Sequence, residues 1–269
     1  MELAGRVCVV TGGASGIGRA LAERFADEGA AGVVVADCDE VGALRVAAEI
    51  NARHRGRACG IACDVARAQD NAHLVDRATA AFGPVDLFCA NAGVGVGTDE
   101  QTPDAVWDVA LGVNVRAHVH AARLLVPEWL ERSEGWFLST ASAAGLLTQI
   151  GSAPYSVSKH AAVAFAEWLS VTYGDRGIGV SCLCPMGVDT RMLQGGLGAG
   201  GVAEVAARAV TSAGVVLSPQ DVAAVVVEAL RDERFLIMPH PEVAVYAQRR
   251  ADDPERWLAG MRRLQGQLA

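Results

Sequence analysis

Near the start of the chain, Arg6 to Val10 (RVCVV) forms a short apolar, β-branched run, and Thr11-Gly-Gly-Ala-Ser-Gly-Ile-Gly18 follows at once. A helical pattern then continues to Gly29, a residue suited to end it. Strand, glycine turn and helix in direct succession form the opening of an α/β unit and the context that a dinucleotide-binding turn requires. The spacing is Gly12-x-x-x-Gly16-x-Gly18 rather than G-x-G-x-x-G. Small residues there let backbone approach a pyrophosphate, while the helix N-terminus offers amide donors and a positive dipole. Methyltransferases and plain tight turns use the same device, so the turn alone leaves the ligand open.

The rest of the chain keeps alternating. Strand-like runs recur at 33–36, 57–62, 85–89, 136–140, 177–184 and 235–238, with helical patterns at 39–52, 68–82, 102–131, 154–174, 202–212 and 219–231. Residues 195–201 read as a glycine-rich loop. The helical pattern of 102–131 is interrupted at Val113-Asn114-Val115, because an Asn in mid-helix competes for backbone hydrogen bonds. No linker or repeat divides the series. The pattern predicts one doubly wound parallel sheet with helices on both faces, a single domain over 1–269. Within it, about 186–215 is read as a substrate loop and about 241–269 as a helical tail. Hydrophobic residues make up 51% of the chain against 20% charged, which suits a sheet covered on both sides.

A formal net charge of −8 argues against non-specific binding to nucleic acid or to an anionic membrane. The seven cysteines are odd in number and scattered, which fits free thiols in a reducing compartment. None has zinc-site spacing, so no metal is expected. No signal peptide and no charge-free run of bilayer length are seen, and the expected location is cytoplasmic.

Chemistry concentrates around Tyr155-Ser-Val-Ser-Lys159. Residues i and i+4 share a helix face, so the Lys159 ammonium should lie near the Tyr155 phenol. A neighbouring cation favours the phenolate and should draw its pKa down from about 10, making Tyr155 a proton shuttle. Taken alone, Y-x-x-x-K is equally a packed Tyr with a snorkelling Lys. Other groups stand where such a shuttle needs them. Asp37 ends the second strand, where a carboxylate can accept both hydroxyls of an adenosine ribose and repel a 2′-phosphate; NAD is therefore favoured over NADP. Asp64 at the end of the third strand either accepts the adenine amino group or caps the next helix. Asn91-Ala92-Gly93 leaves room for the ribose after the fourth strand. Ser142 follows the fifth.

Taken together, these motifs resemble the short-chain dehydrogenase/reductase family over about Leu3 to Pro239. The TGGASGIG turn, Asp64-Val65, Asn91-Ala92-Gly93, Asn114, Ser142, and Tyr155 with Lys159 occur in the family's order. The resemblance implies a catalytic tetrad of Asn114, Ser142, Tyr155 and Lys159. It also implies a cofactor site drawn from Gly12, Ser15, Gly16, Ile17, Gly18, Asp37, Asp64, Val65, Asn91, Ala92, Gly93, Tyr155, Lys159, Pro185, Val188 and Thr190. Gly12, Gly16 and Gly18 would hold the pyrophosphate and Thr190 the nicotinamide amide. Asn114 would anchor a water joining Lys159 to solvent. Two positions depart from the pattern: Ala141 replaces the first of a common serine pair, and Met186 replaces a usual glycine after Pro185, where it would narrow the nicotinamide end.

The expected activity is NAD-dependent interconversion of a secondary alcohol and a ketone. A non-catalytic NAD-binding regulator, an NADPH-preferring carbonyl reductase and a methyltransferase are the alternatives. Met186, Val188, Met192, Leu193 and Leu197, with Leu146 and Leu147, predict an apolar pocket for a small lipophilic alcohol or ketone. A homotetramer or homodimer is expected from the resemblance. In the tail, Asp253-Pro254 opens a helix whose apolar stripe is Trp257, Met261, Leu264 and Leu268. That stripe is predicted to be buried on a partner subunit near the loop 186–201.

Overall fold

The computed structural model describes residues 1–268; Ala269, the last residue of the expected tail, lies outside them. Seven strands form one parallel sheet: β1 (Val7–Thr11), β2 (Gly32–Asp37), β3 (Ala58–Ala62), β4 (Leu87–Ala90), β5 (Gly135–Thr140), β6 (Ile178–Leu183) and β7 (Leu236–Ile237). Their order is β3-β2-β1-β4-β5-β6-β7, every neighbouring pair parallel. The chain reverses its direction of advance between β1 and β4, and a crevice opens there at the carboxyl ends of the strands. Runs such as Val33-Val34-Val35-Ala36 are buried on both faces, as a parallel sheet between two helix layers requires.

One face is covered by α1 (Gly16–Asp27), α2 (Glu40–Arg53) and α10 (Pro219–Arg231). The other carries α3 (Ala68–Phe82), α5 (Ala117–Arg132) and α7 (Ala153–Tyr173), packed on Phe88, Phe137 and Val180. Between α4 (Asp104–Leu111) and α5 the helix widens into one π-turn, Gly112–Arg116, with Asn114 at its centre. The interruption expected at 113–115 is therefore a change of helical pitch. Such turns are uncommon and occur mostly at functional sites.

Two segments differ from the sequence reading. Residues 191–197, the last three of them read as glycine-rich loop, form a short helix, α8 (Arg191–Leu197), that includes Gly195 and Gly196. It packs against α9 (Gly201–Ser212), where a side chain on Gly196 would meet Ala207; the close approach of two helices explains the glycine. After β7 the tail is two helices, α11 (Pro241–Asp252) and α12 (Pro254–Leu268). The α12 stripe packs, half-buried, on its own chain. Met261, Leu264 and Leu268 lie on Ile150, Val205 and Ala209, and Trp257 joins Tyr246, Val243 and Leu147.

Candidate active site

The turn between β1 and α1 is shaped by backbone. Gly12 and Gly16 have positive φ (66° and 53°), where L side chains are strained. A Cβ on Gly12 would sit 2.9 Å from Ala92 Cα, and one on Gly18 would strike Gly12 O and come within 2.6 Å of Asn91 Nδ2. Thr11, which the sequence reading passed over, ties the two strands together. Its Oγ1 donates to Cys89 O (3.0 Å) and accepts from Asn91 N (2.9 Å) and Ala92 N (3.1 Å). Asn91 answers with Nδ2 to Thr11 O at 2.9 Å and accepts Thr140 Oγ1 at 3.2 Å. At the head of α1, Ser15 is extended and its side chain caps nothing, which leaves the first-turn amides of Gly16, Ile17 and Gly18 open to an anion.

Asp37 stands at the tip of β2 and is not the cap of α2. That role falls to Asp39, which accepts Gly42 N at 3.0 Å. The Asp37 carboxylate accepts Ala14 N (3.0 Å) on Oδ2 and Asp39 N (3.0 Å) and the Cys38 thiol (3.5 Å) on Oδ1, so it is fixed against the glycine turn with a lone pair of Oδ2 spare. Asp64 is exposed and accepts Ala66 N at 3.0 Å, closing a local turn ahead of α3; Val65 beside it is buried. Across the crevice, Thr190 lies over Gly16, its Cγ2 3.2 Å from where a side chain there would begin. Next along, Met192 Sδ comes 3.5 Å from the same point on Gly95, so the start of α8 roofs the crevice between the β1 and β4 exits.

Asn114, Ser142, Tyr155 and Lys159 converge where β4, β5 and β6 end. Asn114 is wholly buried and works like a strand edge. It donates to Val94 O (2.9 Å) and Ser158 Oγ (3.0 Å), and accepts Val94 N (2.9 Å). Both amide protons are spent on protein, so this side chain pins the segment after β4. Ser158, the partner missed in sequence, passes the bond on to Tyr155 O at 3.1 Å. Ser152 caps α7 by accepting Tyr155 N at 3.4 Å, and Pro154 occupies the first turn.

The Lys159 ammonium lies 5.7 Å from the Tyr155 ring centroid and donates to Thr140 O at 2.9 Å. Burial lowers its pKa from 10.5 to about 8, against a smaller upward pull from Cys182 and Cys184. The Tyr155 pKa is raised by burial, with the Ser142 hydroxyl pulling down and Cys184 up. The net direction for the phenol is therefore upward, with burial the largest cause. Gly93 lies against both Asn114 Oδ1 and Lys159 Nζ, each 3.3 Å from a side chain built there, which keeps this corner open.

Beyond Ser142 the wall is apolar. Ala143, Leu146 and Leu147 of α6 (Ala144–Leu147) and its lead-in pack with Met186, Tyr246 and Trp257. Met186 presses its methyl on Gly214, so it lines the tail side rather than narrowing the far end. Val188 does not line this wall: it is buried in the sheet core and pairs with Leu217. Pro185 O accepts Ala143 N at 2.8 Å and Ser142 Oγ at 3.5 Å. His240, another residue missed in sequence, holds the turn after Pro185: Nδ1 accepts Met186 N (3.1 Å) and Nε2 meets Gly187 O (3.0 Å). A groove of about 500 Å³ runs between α12 and residues 147–157, lined by Leu147, Ile150, Val157, Trp257 and Met261.

Residues 6–197 match a family described as short chain dehydrogenase. The chain is 39% identical over 264 residues to a 1-deoxy-11-beta-hydroxypentalenate dehydrogenase of Streptomyces exfoliatus, covering 94% of this chain and 90% of the relative. It is 33% identical to a 3beta-hydroxysteroid dehydrogenase 2 of Eggerthella lenta over 71% of this chain and 74% of that one. Among solved structures, a short chain dehydrogenase/reductase from Burkholderia phymatum in complex with NAD superimposes with a TM-score of 0.85. It is 33% identical, and the match covers 95% of this chain and 96% of that one.

Proposed function

Because the chain belongs to the short-chain dehydrogenase/reductase family, a family of oxidoreductases, we propose that it oxidises a lipophilic secondary alcohol to a ketone with NAD, or runs the reverse reaction. The observation that carries this reading is the convergence of Ser142, Tyr155, Lys159 and Asn114 beside an uncapped helix N-terminus. The residues around the crevice suit a dinucleotide. The Gly16, Ile17 and Gly18 amides would take the pyrophosphate, and Asp37 the adenosine ribose. Thr190, over Gly16, would reach the far amide. Asp37 carries a negative charge where a 2′-phosphate would lie, and this favours NAD over NADP.

When bound, the nicotinamide supplies the acceptor for the hydride leaving the alcohol carbon. Ser142 Oγ holds the substrate oxygen against the phenol, fixing its geometry. Tyr155 takes the hydroxyl proton during oxidation and returns it during reduction. Lys159 contributes positive charge at that moment, and its ammonium, now on Thr140 O, would also hold the cofactor ribose. Asn114, through Val94 and Ser158, holds the corner in which these groups meet. The apolar wall of Leu146, Leu147, Met186, Tyr246 and Trp257 supports a lipophilic, cyclic substrate, and two relatives named as a hydroxypentalenate and a hydroxysteroid dehydrogenase support it further.

NADH fluorescence during incubation of the purified protein with NAD and a panel of secondary alcohols tests the reading. Turnover of hydroxylated ring compounds ahead of polyols and sugar phosphates is the expected result. NAD binding without turnover on any alcohol or ketone would favour a regulatory protein instead.

A further inference from the structure

His118 lies one helical turn past Asn114, on the inner side of α5, and is 1% exposed. Its Nδ1 is 3.0 Å from Ser139 Oγ on β5, and its ring meets Phe137 two residues earlier. The other ring nitrogen, Nε2, is buried and has no hydrogen-bond partner among the described residues. A buried imidazole nitrogen left unpaired is costly, and such groups are ordinarily satisfied by protein or by an internal water. Ser139 is followed directly by Thr140, whose carbonyl accepts Lys159 Nζ. His118 and Lys159 thus descend from α5 and α7 onto adjacent residues of one strand. They are close enough that the ammonium's charge acts on the imidazole and, after burial itself, helps hold it neutral.

The ammonium of Lys159 shows the complementary deficit. It is 3% exposed and has three protons, of which Thr140 O accepts one. Facing it are Tyr155 on its own helix, Cys182 and Cys184 on β6, and His118 on α5; none is a carboxylate. An unpaired acceptor and a charged donor with protons to spare therefore sit over neighbouring residues of β5, Ser139 and Thr140. A single water accepting from Nζ and donating to Nε2 would satisfy both.

We propose that His118 is a positioning residue, holding an internal water between its Nε2 and the ammonium of Lys159. The proposal rests on the dehydrogenase reading only for its consequence in turnover. Neutral His118 offers the water a lone pair and takes no proton itself. Its effect is to keep Lys159 charged in a place where burial works against the charge. Ser139 sets the imidazole's orientation through Nδ1.

Two measurements test this. In a high-resolution crystal structure of the protein with NAD, ordered density is expected within hydrogen-bond distance of both Nε2 and Nζ. A dry contact, or Nε2 bonded to protein, would overturn the proposal whether or not the protein turns over alcohols. In the kinetics, His118→Leu removes the acceptor at similar volume. Losing one hydrogen bond to a charged group corresponds to about one pH unit in the pKa of Lys159. The charged form is the one disfavoured, so the high-pH limb of the rate should move to lower pH by about that amount, roughly a tenfold loss above the limb. His118→Gln, which restores an acceptor, should bring the limb back. A folded His118→Leu protein with an unmoved limb would overturn the proposal. Failure of the parent to oxidise any alcohol, with the water in place, would count against the dehydrogenase reading and not against this one.

Discussion

At the β1–α1 turn the backbone itself does the packing, and side chains are excluded: one on Gly18 would strike Gly12 O and Asn91. In the tail the reverse holds, and α12 meets the protein through Trp257, Met261, Leu264 and Leu268 on other side chains. The first region presents amides and a fixed carboxylate, Asp37. The second presents a wall whose volume any apolar substitution can reset. On the function proposed above, main-chain geometry would serve the cofactor and replaceable side chains the particular substrate. Lys159 stands at the junction, buried like the tail's apolar groups and charged like the turn's ligands.

The comparison breaks most severely at Gly18. Gly18→Ala should cost roughly 3 kcal/mol of stability and most NAD affinity, since its new carbon meets backbone that cannot yield. Denaturant unfolding and nucleotide titration check it; a stable variant binding NAD normally would show that the turn has slack.

At the junction the expected effects have opposite signs. The folded Lys159 pKa of about 8 lies below its ordinary 10.5, so below about pH 8 the folded state carries the full cost of a buried charge. That cost fades as pH rises from 8 to 10.5. Lys159→Met should therefore raise stability at neutral pH by on the order of 2–3 kcal/mol while abolishing turnover. Melting against pH should show the parent approaching the variant above pH 8. A variant less stable than the parent at pH 7 would contradict the account of this site.

On the cofactor side, Asp37→Asn keeps an acceptor for Ala14 N and loses the charge. The parent should prefer NAD over NADP by at least about tenfold, 1.4 kcal/mol, and the variant should narrow that gap. Equal affinities in the parent would remove Asp37 from the specificity argument.

What was legible in the sequence follows the same division. Helix 68–82 and the helices at 201–212 and 219–231 were placed nearly residue for residue, because periodicity is a local signal. The glycine turn, Asp37 and the Asn114 interruption were equally local. Helix α8 was missed because Gly195 and Gly196 signal a loop unless the close packing of α9 is known. Thr11, Ser158, His118 and His240 carry no local signature, since each acquires its role from a strand or turn far along the chain. Spacing brought Tyr155 and Lys159 together, whereas their desolvation depends on elements far along the chain. The tail stripe was visible, whereas what covers it depended on where α9 lies.

The smallest effect is expected in the tail. Trp257→Ala should leave kcat and NAD binding near the parent's while raising KM for a bulky lipophilic alcohol by roughly tenfold or less. A fall in kcat with KM unchanged would mean that the tail acts on the catalytic groups and not only on substrate fit.

The central claim is that Tyr155 moves the proton, and Tyr155→Phe tests it by removing one oxygen from a ring whose packing stays in place. Turnover should fall by about 10²–10⁴-fold, while NAD affinity and unfolding free energy stay close to the parent's. A Tyr155→Phe protein that oxidises the same alcohol at the parent's rate would contradict the account.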